Sequence, residues 1–144
     1  MRTVDSQRGT SRLNEPIAVD TDVASYIFNW HSLAQHYADT LRGSELVLSF
    51  MSVAELRMGA ISAGWGNNRR LLLERFVQSF ELSYADNDLC WIWARIRADA
   101  RTQESQMSPQ DAWIAATALA LDAPLATNNR RDYEHVRQLR LLSL

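Results

Sequence analysis

Two carboxylates flank a threonine directly after a short apolar run near the start of the chain. Residues 17–19 read as a buried strand, and Asp20 and Asp22 follow it with no basic residue nearby in the sequence. Two like charges held close together resist ionising together unless a cation lies between them. The pattern therefore indicates that a cation binds where this strand ends.

Three further acids lie close to the ends of other predicted elements. Glu55 is expected in the first turn of the helix after the second strand, and Asp111 in the first turn of the helix that begins at Ser108. Asp132 follows the fourth strand. Ligands of open α/β sheets bind beyond the carboxyl ends of the strands, so we expect these acids to join Asp20 at one edge. Oxygen ligands of this kind suit Mg²⁺ or Mn²⁺ rather than zinc.

The elements that must position these acids alternate between short apolar strands and amphipathic helices. Strands are predicted at 17–19, 45–50, 80–85, 125–127 and 139–144. Helices are predicted at 23–41 (as one helix or two), 52–60, 67–80, 87–101 and 108–123. This alternation predicts a three-layer α/β fold, in which helices cover both faces of a mainly parallel sheet.

Composition excludes several classes of function. The formal net charge is −2, so no overall positive field attracts nucleic acid. The chain has no lysine, which excludes a Walker A phosphate loop and a Schiff-base lysine. Cys90 is the only cysteine, so no internal disulfide forms and a cytoplasmic location is expected.

Length and hydropathy predict one domain. The chain has 144 residues, of which 47% are apolar, enough for a single core. We expect a flexible polar tail over 1–15 and a folded domain over 16–144. No apolar stretch approaches the roughly 20 residues needed to span a bilayer, so no membrane partner is expected.

Each acid also has an interpretation that needs no metal. Glu55 and Asp111 each lie three residues after a serine, as in a capping box that closes a helix N-terminus. Asp22 suits the first turn of a helix, where the helix dipole favours an acid. Asp132 lies in a polar loop, where solvated acids are common. A helix cap is not expected to account for Asp20, and the shared edge favours a joint site.

Two features at the surface complete the candidates. Arg130 and Arg131 adjoin Asp132 and are candidates for phosphate contacts at the edge of the sheet. Trp91 points away from the apolar stripe of its own helix, which fits either contact with a second subunit or a half-buried place in the core.

The segments that carry these acids resemble the successive motifs of the PIN domain, in its VapC-type toxin branch. The matching stretches are "IAVDTDVASYIF", "LVLSFMSVAELRMGA" and "SPQDAWIAATALALDAPLATNNRRDY". They cover roughly 16–144 in the family's order and spacing. The resemblance implies a Rossmann-like fold and Mg²⁺- or Mn²⁺-dependent endoribonuclease activity. It also implies a homodimer and a cognate antitoxin that covers the active site.

The resemblance also assigns roles to residues. The family's four acids fall on Asp20, Glu55, Asp111 and Asp132, with Asp20 and Asp111 expected to hold the principal ion. Glu55 and Asp132 would bind it directly, through water, or at a second ion.

Two polar residues, Thr127 and Asn129, match the family's "T-x-N" stretch, which supports the fourth acid and the site. Asp22 stands where the family more often has Asn or Ser, and Trp113 replaces a residue that is commonly a smaller aliphatic one. Trp113 could shape RNA access or fill the core.

Other functions stay open at the level of sequence. A housekeeping PIN nuclease that processes RNA would carry the same four acids. The "DTD" stretch at 20–22 also fits the nucleophile motif of a haloacid-dehalogenase-type phosphatase. The absence of lysine and the short chain disfavour that reading. A PIN-like module that only binds a partner would have no need of the four acids.

Overall fold

A five-stranded parallel sheet forms the centre of the protein. The computed structural model describes residues 15–29 and 39–143. Its strands are β1 (Pro16–Val19), β2 (Glu45–Ser49), β3 (Glu81–Ser83), β4 (Leu125–Thr127) and β5 (Leu141–Ser143). They lie in the order β3-β2-β1-β4-β5, with every neighbouring pair parallel. The strand order therefore reverses between β1 and β4, which is where open α/β sheets bind ligands.

In the described part of the chain, α-helices and a short 3-10 helix connect the strands. The α-helices are α1 (Thr21–Phe28), α2 (Phe50–Ser62), α3 (Asn67–Gln78), α4 (Asn87–Thr102) and α5 (Pro109–Ala120). The 3-10 helix (Arg130–Asp132) lies between β4 and β5. The helix predicted over 23–41 begins earlier, at Thr21, and its part over 30–38 lies outside the described residues. The predicted tail lies outside them too, except for Glu15.

The core occupies both faces of the sheet, because successive side chains of a strand point to opposite faces. Ile17 and Val19 face α1, α2 and α3, with Leu73 and Val77 among the buried side chains there. Ala18 faces the other way, in the cluster formed with α4 and α5. This arrangement confirms the predicted three-layer α/β fold.

A glycine ends α2. The N–H of Gly64 donates to the carbonyl of Ile61, and the N–H of Trp65 donates to that of Ala60, each at 3.0 Å. This pair of bonds is the Schellman motif, which needs a left-handed residue after the helix. Gly64 supplies it with φ of 70°. Within 15–29 and 39–143, no helix is long and apolar enough to cross a membrane.

Candidate active site

Asp20 follows β1 directly, and its side chain is only 5% exposed. Its backbone N–H donates to the carbonyl of Ala126 at 3.0 Å and so continues the pairing of β1 with β4. Its Oδ1 accepts from the backbone N–H of Thr21 at 2.8 Å, which makes Asp20 the N-cap of α1. The expectation that no cap accounts for Asp20 is therefore wrong, because the helix begins at Thr21 rather than at Val23.

Thr127, at the end of β4, holds the second oxygen of Asp20. Its buried hydroxyl donates to Asp20 Oδ2 at 2.8 Å and accepts from the backbone N–H of Asn129 at 2.9 Å. The side-chain amide of Asn129 donates to Asp22 Oδ2. Thr127 therefore supports the first acid, Asp20, and so belongs to the site that the resemblance implied it supports along with the fourth acid. Because the oxygen of Thr127 accepts the backbone N–H of Asn129, the hydroxyl proton of Thr127 is directed towards Asp20.

Glu55 reaches the same edge of the sheet from α2. The predicted capping role is wrong, because α2 begins two residues earlier than expected, with Ser49 as its N-cap. Glu55 consequently lies beyond the first turn. Its Oε1 accepts from the hydroxyl of Thr21 at 2.7 Å, and that hydroxyl also lies 2.7 Å from Ser52 Oγ. Glu55 is thus joined to the residue next to Asp20.

Asp111 approaches from the other face of the sheet, at the start of α5. Ser108 caps this helix as predicted, since its Oγ accepts from the Asp111 backbone N–H at 3.0 Å. The side chain of Asp111 points to Tyr133, whose hydroxyl lies 3.2 Å from Asp111 Oδ1 and 3.1 Å from Asp20 Oδ1. One phenol proton is therefore shared between two of the predicted acids.

Burial and mutual repulsion make the two acids hard to ionise. The pKa of Asp20 is raised from 3.8 to about 6: burial is the largest cause, the charges of Asp22 and Asp111 act in the same direction, and the hydrogen bonds from Thr127 and Tyr133 oppose it. Burial also raises the pKa of Asp111, and the charges of Asp132 and Glu55 act in the same direction.

The phenol of Tyr133 responds to the same surroundings. Burial raises its pKa, and the neighbouring charges of Asp20 and Asp111 add to the effect. The hydroxyl therefore stays protonated and remains a hydrogen-bond donor.

Asp132 and the two adjoining arginines lie at the surface. All three residues form the exposed 3-10 helix between β4 and β5. Asp132 is near enough to Asp111 to raise its pKa. The hydroxyl of Tyr133 thus links Asp20 to Asp111, Glu55 is bonded to Thr21 beside Asp20, and Asp132 lies near Asp111 without a bond to it among the described residues. Arg130 and Arg131 lie at the same edge, exposed to solvent.

Tyr133 and Thr21 were not among the predicted site residues. What could have pointed to each residue in the sequence was its neighbours. Thr21 lies between the two acids of "DTD", and Tyr133 directly follows Asp132. A buried tyrosine hydroxyl usually finds a hydrogen-bond partner. That rule alone does not name the partners, which lie 113 and 22 residues away in sequence.

Trp113 packs with other aromatic side chains behind the acids. Its ring stacks on Trp93 with centroids 4.9 Å apart and meets the edge of Phe50 at 5.3 Å. All three side chains are half-buried. Of the two roles left open by the sequence, this packing favours core filling.

The donor set fits a small divalent cation that keeps several waters. As the side chains stand, no three His, Cys, Asp or Glu residues in the described part of the chain are arranged to hold one metal ion. Mg²⁺ commonly uses only one or two carboxylates, with waters and substrate phosphates completing its coordination. Asp20 and Asp111 supply two carboxylates. Over 15–29 and 39–142, the ion pairs join Arg42 to Asp39, Arg57 to Glu74 and Arg140 to Asp122. None of these pairs involves Asp20 or Asp111, so neither acid has a cationic side chain as its partner in this part of the chain.

Comparison with known proteins places these residues in a family. The model of the PIN domain matches residues 17–139. Ribonuclease VapC1 of Haemophilus influenzae is 24% identical over 84% of this chain and 92% of its own length. Toxin FitB of Neisseria gonorrhoeae is 32% identical over 65% of this chain and 71% of its own length.

The fold has a close counterpart among solved structures. The structure of VapBC2 from Rickettsia felis, bound to a DNA fragment from their promoter, contains a chain with a TM-score of 0.80 to this protein. Their sequences are 20% identical, and the match covers 90% of this chain and 98% of that one. At this identity the likeness shows the fold alone.

Proposed function

The chain belongs to the PIN domain family, and from that premise we propose that it is a metal-dependent endoribonuclease that acts as the toxin of a toxin–antitoxin pair. The observation that carries the proposal is the pairing of Asp20 and Asp111. Asp20 is 5% exposed and shares the Tyr133 hydroxyl with Asp111. Buried carboxylates are retained in proteins when they are paired or coordinate a metal. The names of VapC1, a ribonuclease, and FitB, a toxin, support the same activity.

Asp20 and Asp111 would hold Mg²⁺ or Mn²⁺, and Glu55 and Asp132 would bind directly, through water, or at a second ion. When bound, such an ion lowers the pKa of water and offsets the charge that develops on phosphate oxygens. Thr21 and Thr127 fix the carboxylate of Asp20, through a backbone N–H and a hydroxyl respectively. The chain thus supplies a rigid, negatively charged edge for the ion.

Contacts with RNA would be made next to the acids. Arg130 and Arg131 are exposed beside Asp132, where a guanidinium can bind a phosphate with two parallel hydrogen bonds. Because the whole chain carries a net charge of −2, these two arginines would have to attract the phosphate backbone locally.

A cognate antitoxin would complete the system. The acids would attract an arginine of such a partner, as carboxylates bind guanidinium groups strongly. An amphipathic segment could then pack on the exposed apolar side chains of α2 and α3, which are Met58, Ile61, Leu71 and Leu72. Occupation of the acids by an arginine would block the cation and with it the nuclease.

The protein is also proposed to form a homodimer. Trp91 on α4 is 72% exposed, which is unusual for the largest apolar side chain. A second copy packed against it would bury this surface. Light scattering of the purified protein would measure the mass, and a monomer at micromolar concentration would contradict the proposal.

The deciding experiment is cleavage of total cellular RNA by the purified protein with Mg²⁺, Mn²⁺ or EDTA. We expect discrete products that need the metal and that disappear in Asp20→Asn and Asp111→Asn. The matched control is Asp88→Asn, an exposed acid on α4. Cleavage that persists in both site variants would contradict the nuclease. Induced expression in a bacterial host tests the toxin, since only the wild type and the control should arrest growth.

A further inference from the structure

Tyr133 enters the acidic site from the interior of the protein. Its side chain is 1% exposed and packs in the apolar cluster beneath α4 and α5. Its backbone N–H donates to the carbonyl of Arg130 at 3.0 Å, which fixes the chain where the 3-10 helix ends. The enclosed ring leaves the hydroxyl little freedom to move away from the acids.

The hydroxyl also determines which lone pairs of Asp20 are available. A carboxylate offers about four lone-pair positions. Oδ1 accepts from the Thr21 N–H and from Tyr133, and Oδ2 accepts from Thr127. One position is left, on Oδ2. A cation that reaches Asp20 therefore meets a single oxygen in a fixed direction.

Asp111 is bonded to the same hydroxyl of Tyr133 through its Oδ1. Without a shared donor, two neighbouring carboxylates repel each other and turn apart. Ordering them again would then cost free energy when a cation binds, and this cost lowers the affinity. A fixed hydroxyl between them removes much of that cost.

We propose that Tyr133 is a positioning residue whose hydroxyl holds Asp20 and Asp111 in the arrangement that binds a divalent cation. The inference rests on the proposed function, because it assumes that these two acids bind the ion. The hydroxyl acts from the interior side, and the ion approaches from the solvent side. Groups that orient metal ligands typically change the affinity by roughly 10- to 100-fold when they are removed.

The test is the affinity of the RNA-free protein for Mn²⁺, measured by calorimetry on wild type and Tyr133→Phe. Phenylalanine keeps the buried ring and removes only the hydroxyl, and circular dichroism establishes that the variant folds. We expect Mn²⁺ to bind about tenfold more weakly. In RNA cleavage, we expect the Mn²⁺ concentration for half-maximal rate to rise by a similar factor, with the rate at saturating Mn²⁺ close to that of the wild type.

The matched control is Tyr84→Phe, which removes the hydroxyl of a tyrosine that is 67% exposed. Its Mn²⁺ affinity should equal that of the wild type. If Tyr133→Phe binds Mn²⁺ as tightly as the wild type, the inference fails while the nuclease stands. Tighter binding would also overturn it, since the hydroxyl would then compete with the ion. A wild type that binds no Mn²⁺ would overturn both the inference and the proposed metal site.

Discussion

The acids of this protein differ in whether the described part of the chain supplies them with a cationic partner. Glu74 on α3 forms two parallel hydrogen bonds with the guanidinium of Arg57, at 3.0 and 2.7 Å. The bond to Arg57 lowers the pKa of Glu74, whereas burial raises that of Asp20 to about 6. Glu74 thus has a permanent cationic partner within the chain. Among the described residues, Asp20 and Asp111 have hydrogen-bond donors but no cationic side chain, which is why we propose that a cation from solution binds there.

Among the variants that test this difference between the two kinds of acid, Asp20→Asn is expected to have the largest effect, which is on RNA cleavage. Asp20→Asn keeps the shape of the side chain and removes its charge, so we expect the rate to fall by roughly a hundred- to a thousandfold, as for other groups that stabilise charge in a transition state. Glu74→Gln makes the same chemical change at the arginine-paired acid and should leave the rate unchanged. Steady-state cleavage of a defined RNA measures both, and equal losses would contradict the contrast.

The next effect is on stability against pH in the absence of metal. Because the folded-state pKa of Asp20 is raised, the folded state binds more protons than the unfolded state between pH 3.8 and about 6. The contribution of Asp20 to the stability of the wild type therefore falls as the pH rises through that window. At pH values above that window, the shift in pKa lowers the free energy of unfolding by at most about 3 kcal/mol.

The difference between Asp20→Asn and wild type isolates this group from the other carboxylates. Urea unfolding in EDTA should give an advantage for the variant that grows from about pH 4 to about pH 6 and levels off above it. The amide loses one hydrogen-bond acceptor, which adds an offset that does not depend on pH. A difference that is constant across this range would contradict the raised pKa.

A change in stability of similar size is expected when metal is added. An ion that binds only the folded state, at 100 times its dissociation constant, stabilises it by about 2.7 kcal/mol. The thermal midpoint of the wild type should rise with Mn²⁺ accordingly, while Asp111→Asn should respond much less. Asp88→Asn serves as the control and should respond as the wild type does. Equal shifts in all three proteins would indicate binding elsewhere.

The smallest effect is expected when Glu74 loses its partner, Arg57. Arg57 and Glu74 have side chains that are 55% and 38% exposed, so solvent screens their attraction. Arg57→Gln should lower the free energy of unfolding by less than about 1 kcal/mol, a loss that shrinks further in high salt. Denaturant unfolding at two ionic strengths measures this, and a loss that salt does not reduce would contradict a screened surface pair.

Much of the site could be placed from sequence because its residues follow strands. An apolar run followed by a polar residue placed Asp20 and Thr127 each at the end of a strand, whereas the pairing of β1 with β4 set them side by side. Ser108 and Pro109 marked the start of α5 and thereby the position of Asp111. Glu55 was harder, because a serine at 49 and another at 52 both fit a helix N-cap. Packing against α1 decided between them, as Ser52 and Glu55 face Thr21.

The sequence by itself determined the fold class and the order of the strands along the chain, since these depend on local periodicity and on residue type, and it named four acids as candidates for the site. Only the tertiary structure decided how deeply Asp20 is buried, and hence how far its pKa rises. It alone placed the hydroxyl of Tyr133 between Asp20 and Asp111. Desolvation and the direction of a side chain depend on residues packed from distant parts of the chain, which no local pattern records.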